Sequence, residues 1–226
     1  MCRIDWPVKA THVYAAHMTA AEAASDETGR WTVKGRATRA RIVRAAAALM
    51  YERGVAGTST EDIRGAAGVS NSQLYHYFAD KNHLVRAVIV HQTEQVLAAQ
   101  QPLLSRLDSF EALQAWRDLL VDLQRQHHCR GGCPLGSLAS ELADIDEDAR
   151  AALVTGFARW ESAIRDGLAA MRERGDLRAD ADPDRLALVI LTALQGGLLL
   201  TNTRRDATPL LVGLDAALAH IRSFAS

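Results

Sequence analysis

From Thr38 onward, apolar positions recur at helical spacing along the 226-residue chain, and no segment shows the strict alternation of a half-buried strand. Ile42, Ala45, Ala46, Leu49 and Met50 form one stripe, and Gly54 supplies a C-terminal stop, which predicts a first helix. In "GTSTEDI", Thr58 with Glu61, or Ser59 with Asp62, makes a capping box that opens a second helix ending at Gly68. Ser70 with Gln73 repeats the box and opens "NSQLYHYF", and Asp80 then caps a fourth helix from Lys81. A helix, a Gly-containing turn and a second short helix make a helix-turn-helix pattern. Beyond Pro102, "FEALQAWRDLLVDLQRQHH", "LASELADI" and "DEDARAALVTGFARWESAIRDGLAAMRERG" keep the helical period, and Asp182-Pro183 and Thr208-Pro209 open two more helices. The pattern predicts an all-α chain of about nine or ten helices. An N-terminal head, three helices plus a linking fourth, sits on a C-terminal helical bundle.

Residues 1–33 lack a sustained period and are expected to be a flexible tail, with at most a short helix near "MTAAEAASDE" and with Met18 as a second candidate start after residues 1–17. The head then covers 34–85 and the bundle 86–226. Charge sharpens this division: residues 34–91 carry +5, residues 92–226 carry −5 and residues 1–33 carry −1, which gives the net −1. A basic head on an acidic body points to a polyanion partner for the head alone. Three cysteines in a chain of this length fit a reducing cytoplasm better than a disulfide scaffold. The most apolar stretch, "LALVILTALQGGLLL", is expected to be too short and too Gly-interrupted to span a bilayer.

Across residues 38–85 the ordered set "TSTEDI", "AAGVS", "LYHYF" and Lys81 with Leu84 behind it, after an Ala-rich helix ending in Arg53-Gly54, resembles the DNA-binding head of the tetracycline-repressor (TetR) family. Arg64-Gly65 replaces the usual small helix-forming pair, and Ser72 stands where glycine or threonine is frequent. The resemblance implies a transcriptional regulator whose third helix enters the major groove of an operator. Ser70, Asn71, Ser72 and Gln73 then lie at the end that meets base edges, and Asn71 and Gln73 have the chemistry to pair with adenine, although capping competes for Gln73. Tyr75 and His76 are expected on the outward surface. Tyr75 and Lys81 match the family's phosphate-binding positions. Thr58 and Ser59 at the second helix start, and Lys34 and Arg36 with Arg39 and Arg41 as a basic approach in the manner of an N-terminal arm, complete the expected DNA contacts.

In the body the resemblance implies a dimer through about 183–202 and 209–224, where Gly196-Gly197 would let another backbone approach, and a pocket for a small-molecule effector between the middle helices. "GCPLGSLASEL" and "ALQGGLLL" resemble one subgroup, the LmrA/YxaF-type repressors. Trp116, Leu120, Phe157, Trp160 and Ile164 are candidates for the pocket lining, since large apolar side chains at helical spacing either wall a cavity or fill a core. The expected function is a repressor released from a palindromic operator by a small molecule, with no cofactor.

"HHCRGGCPLGS", residues 127–137, raises two rivals. One is an enzyme or zinc centre built on His127, His128, Cys129 and Cys133. On one helical turn, three of these cannot converge on an ion, and the spacing matches no standard zinc pattern. The other is a redox- or metal-responsive regulator using Cys129 and Cys133, because Cys133-Pro134 starts a helix and a helix N-terminus lowers a thiol pKa. The bland reading is a tight turn between helices, closed by Arg130-Gly131-Gly132.

Overall fold

The structure is a computed structural model that describes residues 31–226; the expected tail and its short helix fall on residues 1–30, outside the described residues. Among the described residues there are nine α-helices, a short 3₁₀ segment at Leu103–Arg106, and no strand beyond an isolated bridge between Leu177 and Ala225.

Helix α1, Val33–Arg53, begins nine residues before the apolar stripe, because the Thr32 hydroxyl caps it by accepting from the Gly35 N–H at 3.1 Å. Its first turns are basic and solvated, so periodicity could not reveal them. Ile42, Val43, Ala46, Ala47 and Met50 are the residues it buries. Helix α2, Thr60–Ala67, uses the Ser59–Asp62 box rather than Thr58–Glu61: Ser59 Oγ accepts from Asp62 N, and Asp62 Oδ2 accepts from Ser59 N, each at 3.1 Å. Gly68, at φ 61°, is left-handed and turns the chain into α3, Asn71–Tyr77. The Ser70–Gln73 box caps α3, and Leu74 and Phe78 point inward at 2% and 4% exposure.

Helix α4, Lys81–Ala98, runs unbroken through the expected boundary at 85/86 and packs against α1 on one side and the body on the other. The body follows as α5 (Phe110–Gln126), α6 (Pro134–Leu142), α7 (Glu147–Arg174), α8 (Pro183–Arg204) and α9 (Thr208–Arg222). Helix α8 packs between α7 and α9. Close approach at the α8–α9 crossing needs Gly197, where a Cβ would sit 2.8 Å from Leu210 Cα. Gly197 therefore serves a contact within the chain, and of the expected pair Gly196 alone faces open space.

One expectation is corrected here. At 22 residues α8 is long and apolar enough, by length and composition, to cross a bilayer. The two glycines do not interrupt it, because they lie inside a continuous helix. Leu186, Ile190, Leu194 and Leu198 of that helix are nevertheless buried within the chain, as in a core helix.

Candidate nucleic-acid interface

Five polar or aromatic side chains of α3, Asn71, Ser72, Gln73, Tyr75 and His76, are exposed on a helix only seven residues long. Such a helix does not persist alone in water, so its neighbours must fix it. The Ser70 hydroxyl accepts from Gln73 N at 3.2 Å, Gln73 Oε1 accepts from Ser70 N at 2.9 Å, and Leu74 and Phe78 anchor the inner face. The Gln73 carbonyl oxygen thereby takes one hydrogen bond within the cap, the competition expected of it. Asn71 and Ser72 stay exposed at the helix start, and Tyr75 is 49% exposed.

One expected contact is corrected. Thr58 is fully buried and donates its hydroxyl to the Gly54 carbonyl at 2.8 Å, so it braces the turn after α1 and presents nothing to a ligand. Lys81 is half-buried and donates from Nζ to the Val55 carbonyl at 2.7 Å, which ties the start of α4 to that same turn. Ser59 is exposed, with its hydroxyl in the α2 cap.

The basic approach is a helix, not an arm. Lys34 and Arg36 lie exposed in the first turns of α1, with Arg36 Nη1 donating to the Trp31 carbonyl at 2.8 Å. Arg41 Nε donates to the Ala67 carbonyl at 2.8 Å, capping the end of α2, and the Arg39 guanidinium lies 5.3 Å from the Phe78 ring centroid. Sequence reasoning assigned neither role, since both partners are distant along the chain. It also missed Trp31, whose ring meets His76 and Tyr77 of α3, each at 5.0 Å between centroids. Cap hydrogen bonds hold two carboxyls of the head below the usual range, Asp62 through the Ser59 hydroxyl and Asp80 chiefly through the His83 N–H.

Hydrogen bonds at Val55 tie the head to the body. Val55 N–H donates to Glu141 Oε2 of α6 at 2.7 Å, while the Val55 carbonyl takes the Lys81 amine. Beside this joint a shallow crevice, partly open to solvent, is lined by Met50, Tyr51, Val88, Gln92, Leu138 and Glu141 among others.

The expected pocket lining is largely a filled core. Trp116, Leu120, Trp160 and Ile164 are buried, and Phe157 is half-buried. Trp116 and Trp160 both donate their indole N–H to Gln100 Oε1, at 3.0 and 3.1 Å, and Gln100 Nε2 donates to the Val96 carbonyl at 2.7 Å. That buried network is satisfied and leaves no polar group for a guest. Gln124 Oε1 on α5 is buried without a hydrogen-bond partner, and the Gln195 amide on α8 is buried beside the Cys133 thiol.

Helix α5 ends at Gln126, so the His127, His128 and Cys129 run is not a helical turn. His128 and Cys129 adopt φ 53° and 54°, and Gly131 and Gly132 are also left-handed. Neighbours hold this strained loop: Gly131 N donates to Asn202 Oδ1 at 2.8 Å, and Arg205 Nη1 donates to Asn202 Oδ1 at 2.7 Å and to the Cys129 carbonyl at 3.2 Å. Cys133 caps α6, its sulfur accepting from Gly136 N at 3.4 Å. Both cysteines are free and buried. Burial pushes the Cys133 thiol up, outweighing the helix-terminal N–H groups, which corrects the lowered value expected from its position. Burial, with the neighbouring His128, also lowers His127. Among the described residues, no three His, Cys, Asp or Glu side chains cluster to hold a metal ion.

Comparison with known proteins agrees with this architecture. A family model described as bacterial regulatory proteins, tetR family, matches residues 42–88, and one described as transcriptional regulator LmrA/YxaF-like, C-terminal domain, matches residues 109–213. An uncharacterized HTH-type transcriptional regulator of Mycobacterium tuberculosis is 31% identical over 185 residues, spanning 76% of this chain and 88% of that protein. The HTH-type transcriptional repressor DhaR of Mycobacterium sp. (strain GP1) is 25% identical over 180 residues, spanning 76% and 86%. The crystal structure of a TetR transcriptional regulator from Chloroflexus aurantiacus is similar at TM-score 0.73 and 28% identity, covering 86% of this chain and 98% of that one.

Proposed function

The chain belongs to the TetR family of DNA-binding transcriptional regulators, and from that premise we propose that it is a dimeric repressor which a small molecule releases from a palindromic operator. The observation that carries the reading is the capped, outward-facing α3, whose exposed Asn71, Ser72, Tyr75 and His76 are the side chains able to meet base edges and phosphates. Exposed Lys34 and Arg36 extend that surface, in keeping with the +5 charge of residues 34–91. The name of DhaR supports repression rather than activation.

A palindrome needs two heads. Helix α8 exposes Leu188, Thr192, Gly196 and Leu199 along one face, and α9 exposes Val212. An apolar stripe on the outside of an otherwise buried helix pair is what a self-complementary interface requires. On this reading residues 34–85 are the DNA-binding unit and 86–226 the dimerising and effector-binding unit, in the cytoplasm.

Gln124 and Gln195 supply polar anchors for an effector, because the Gln124 side-chain oxygen is a buried, unmet acceptor and the Gln195 amide is buried beside the Cys133 thiol. A guest that satisfies either would favour the state in which it is reachable. The Glu141–Val55 bond offers a route by which movement of α6 reaches the head. The thiol-switch alternative loses support, since Cys129 and Cys133 are buried and the Cys133 thiol is held protonated.

The test is to pass fragmented genomic DNA over the purified protein and sequence what is retained, then to screen small molecules for release of the selected fragment. Retention of a recurrent inverted repeat by a dimer is expected. Binding without sequence preference would overturn the reading. A Gln195→Leu variant should keep the fragment and lose the response to the releasing molecule.

A further inference from the structure

The last turn of α3 is covered from outside by a residue that precedes both helices of the motif. Trp31 lies one position before the α1 cap and outside the family-matched residues 42–88. Its ring meets His76 edge-on, with centroids 5.0 Å apart at 74°, and Tyr77 at 5.0 Å and 52°, while His76 and Tyr77 meet at 5.0 Å and 79°. Three rings therefore close a triangle, in the tilted and edge-to-face arrangements that aromatic quadrupoles favour.

The approach of Trp31 is itself fixed. Its carbonyl accepts from Arg36 Nη1 at 2.8 Å, one turn into α1, and the Thr32 cap sets the direction of the chain. Gly35, in the first turn of α1, lies beside both rings: a Cβ there would stand in ordinary contact, 3.4 Å, with Tyr77 Oη and Trp31 Cβ. The start of α1 and the end of α3 thus form one unit.

What α3 otherwise has is a cap at its first residue and two inward anchors, Leu74 and Phe78. Neither restrains His76, which points outward and is exposed. A free imidazole would have to be ordered on binding DNA, at an entropic cost that a preset one avoids.

We propose that Trp31 is a positioning residue for DNA recognition: it holds His76 and the last turn of α3 in the orientation that meets the groove. The inference rests on the DNA-binding reading above. It assigns to Trp31 a share of operator affinity that acts through His76, not a contact of its own.

The experiment uses the full chain, the fragment selected by the wild-type protein, and a scrambled fragment of equal length and composition. Trp31→Ala is expected to weaken binding to the selected fragment by about tenfold, the size of one or two aromatic pairs, and to the scrambled fragment by less than about twofold. Trp31→Phe, which keeps a ring, should stay within about threefold of wild type. In the His76→Ala background, Trp31→Ala should cost less than about twofold more, because the two act as one. Trp31→Leu, which keeps apolar bulk without a ring, gives the same reading if Trp31→Ala fails to fold. Full affinity in Trp31→Leu, equal losses on both fragments, or losses that add to those of His76→Ala would each overturn the proposal. A wild-type protein that selects no fragment would instead overturn the regulator reading on which it rests.

Discussion

Asn202, two residues from the end of α8, accepts the Gly131 N–H at 2.8 Å, and so ties the strained loop before α6 to the helix proposed for dimerisation. The same loop touches the head, because a Cβ on Gly131 would collide with the Tyr51 hydroxyl of α1. At φ 93° a side chain is strained there in any case. Three parts of the chain therefore meet at Gly131. Asn202→Ala removes an acceptor shared by Gly131 and Arg205 and is expected to cost about 1–2 kcal/mol by denaturant unfolding. Gly131→Ala should cost about 1–3 kcal/mol and increase proteolysis near residues 127–133. Native-like unfolding midpoints in both variants would show that the loop is held by other contacts.

Two lysines of the head should separate by their salt dependence. Lys34 is exposed, so Lys34→Ala should lower the slope of log K against log salt by about one for the selected DNA and leave stability within ±0.5 kcal/mol, roughly the range for surface changes. Lys81 already donates to Val55, so Lys81→Met should destabilise the head by about 1 kcal/mol and leave the slope unchanged. A lowered slope with an unchanged melting temperature in Lys81→Met would give Lys81 the phosphate role.

Gln100 is 2% exposed and serves two indole donors from different helices. Gln100→Leu keeps the apolar bulk but strands both N–H groups, and each stranded buried donor costs about 1–3 kcal/mol. A loss of about 2–5 kcal/mol in unfolding free energy is expected. An unchanged melting temperature would mean that water reaches the tryptophans.

His91 on α4 is half-buried, and burial, with the Arg44 cation adding to it and Glu94 opposing, lowers its pKa from the usual imidazole value of about 6.5. A histidine lowered in the folded state contributes stability that is complete above the unfolded value and is lost as pH falls through the folded one. Unfolding midpoints should therefore decline as pH drops below about 6.5, and His91→Gln should flatten that decline. An equal decline in His91→Gln would assign the acid sensitivity to other groups, His127 or the carboxylates.

The head was the most legible part of the chain because its signals are local. Gly68, the Ser70–Gln73 box and the Asp80 cap each lie within four residues of what they control. Between Thr58–Glu61 and Ser59–Asp62 the sequence could not choose. The choice depends on Thr58 being buried against Gly54, which is a tertiary fact. Lys81, Arg41 and Glu141 were opaque for a related reason: their partners, Val55 and Ala67, are main-chain groups at least 26 residues away. A main-chain group leaves no signature in composition. The body was legible as helices but not as a site, since the spacing that puts Trp116 and Trp160 on inner faces is the same whether they line a pocket or share Gln100.

Adjacent glycines in α8 give the sharpest test of where the two chains meet. Gly197 fits against Leu210, with a Cβ position 2.8 Å from Cα and 3.0 Å from Cδ1, so Gly197→Ala forces α8 and α9 apart. It should cost about 1–3 kcal/mol in unfolding free energy, since backbone cannot yield as a side chain can. A Cβ on Gly196 meets nothing within 4 Å. Gly196→Ala should then leave the folded chain as stable or stabilise it by up to about 1 kcal/mol, because alanine is the better helix former. Its outward position places it on the stripe of Leu188, Thr192 and Leu199. Gly196→Leu, which fills that face, should raise the dimer dissociation constant at least about tenfold by sedimentation. A Gly196→Leu dimer as tight as wild type would move the interface off this face of α8.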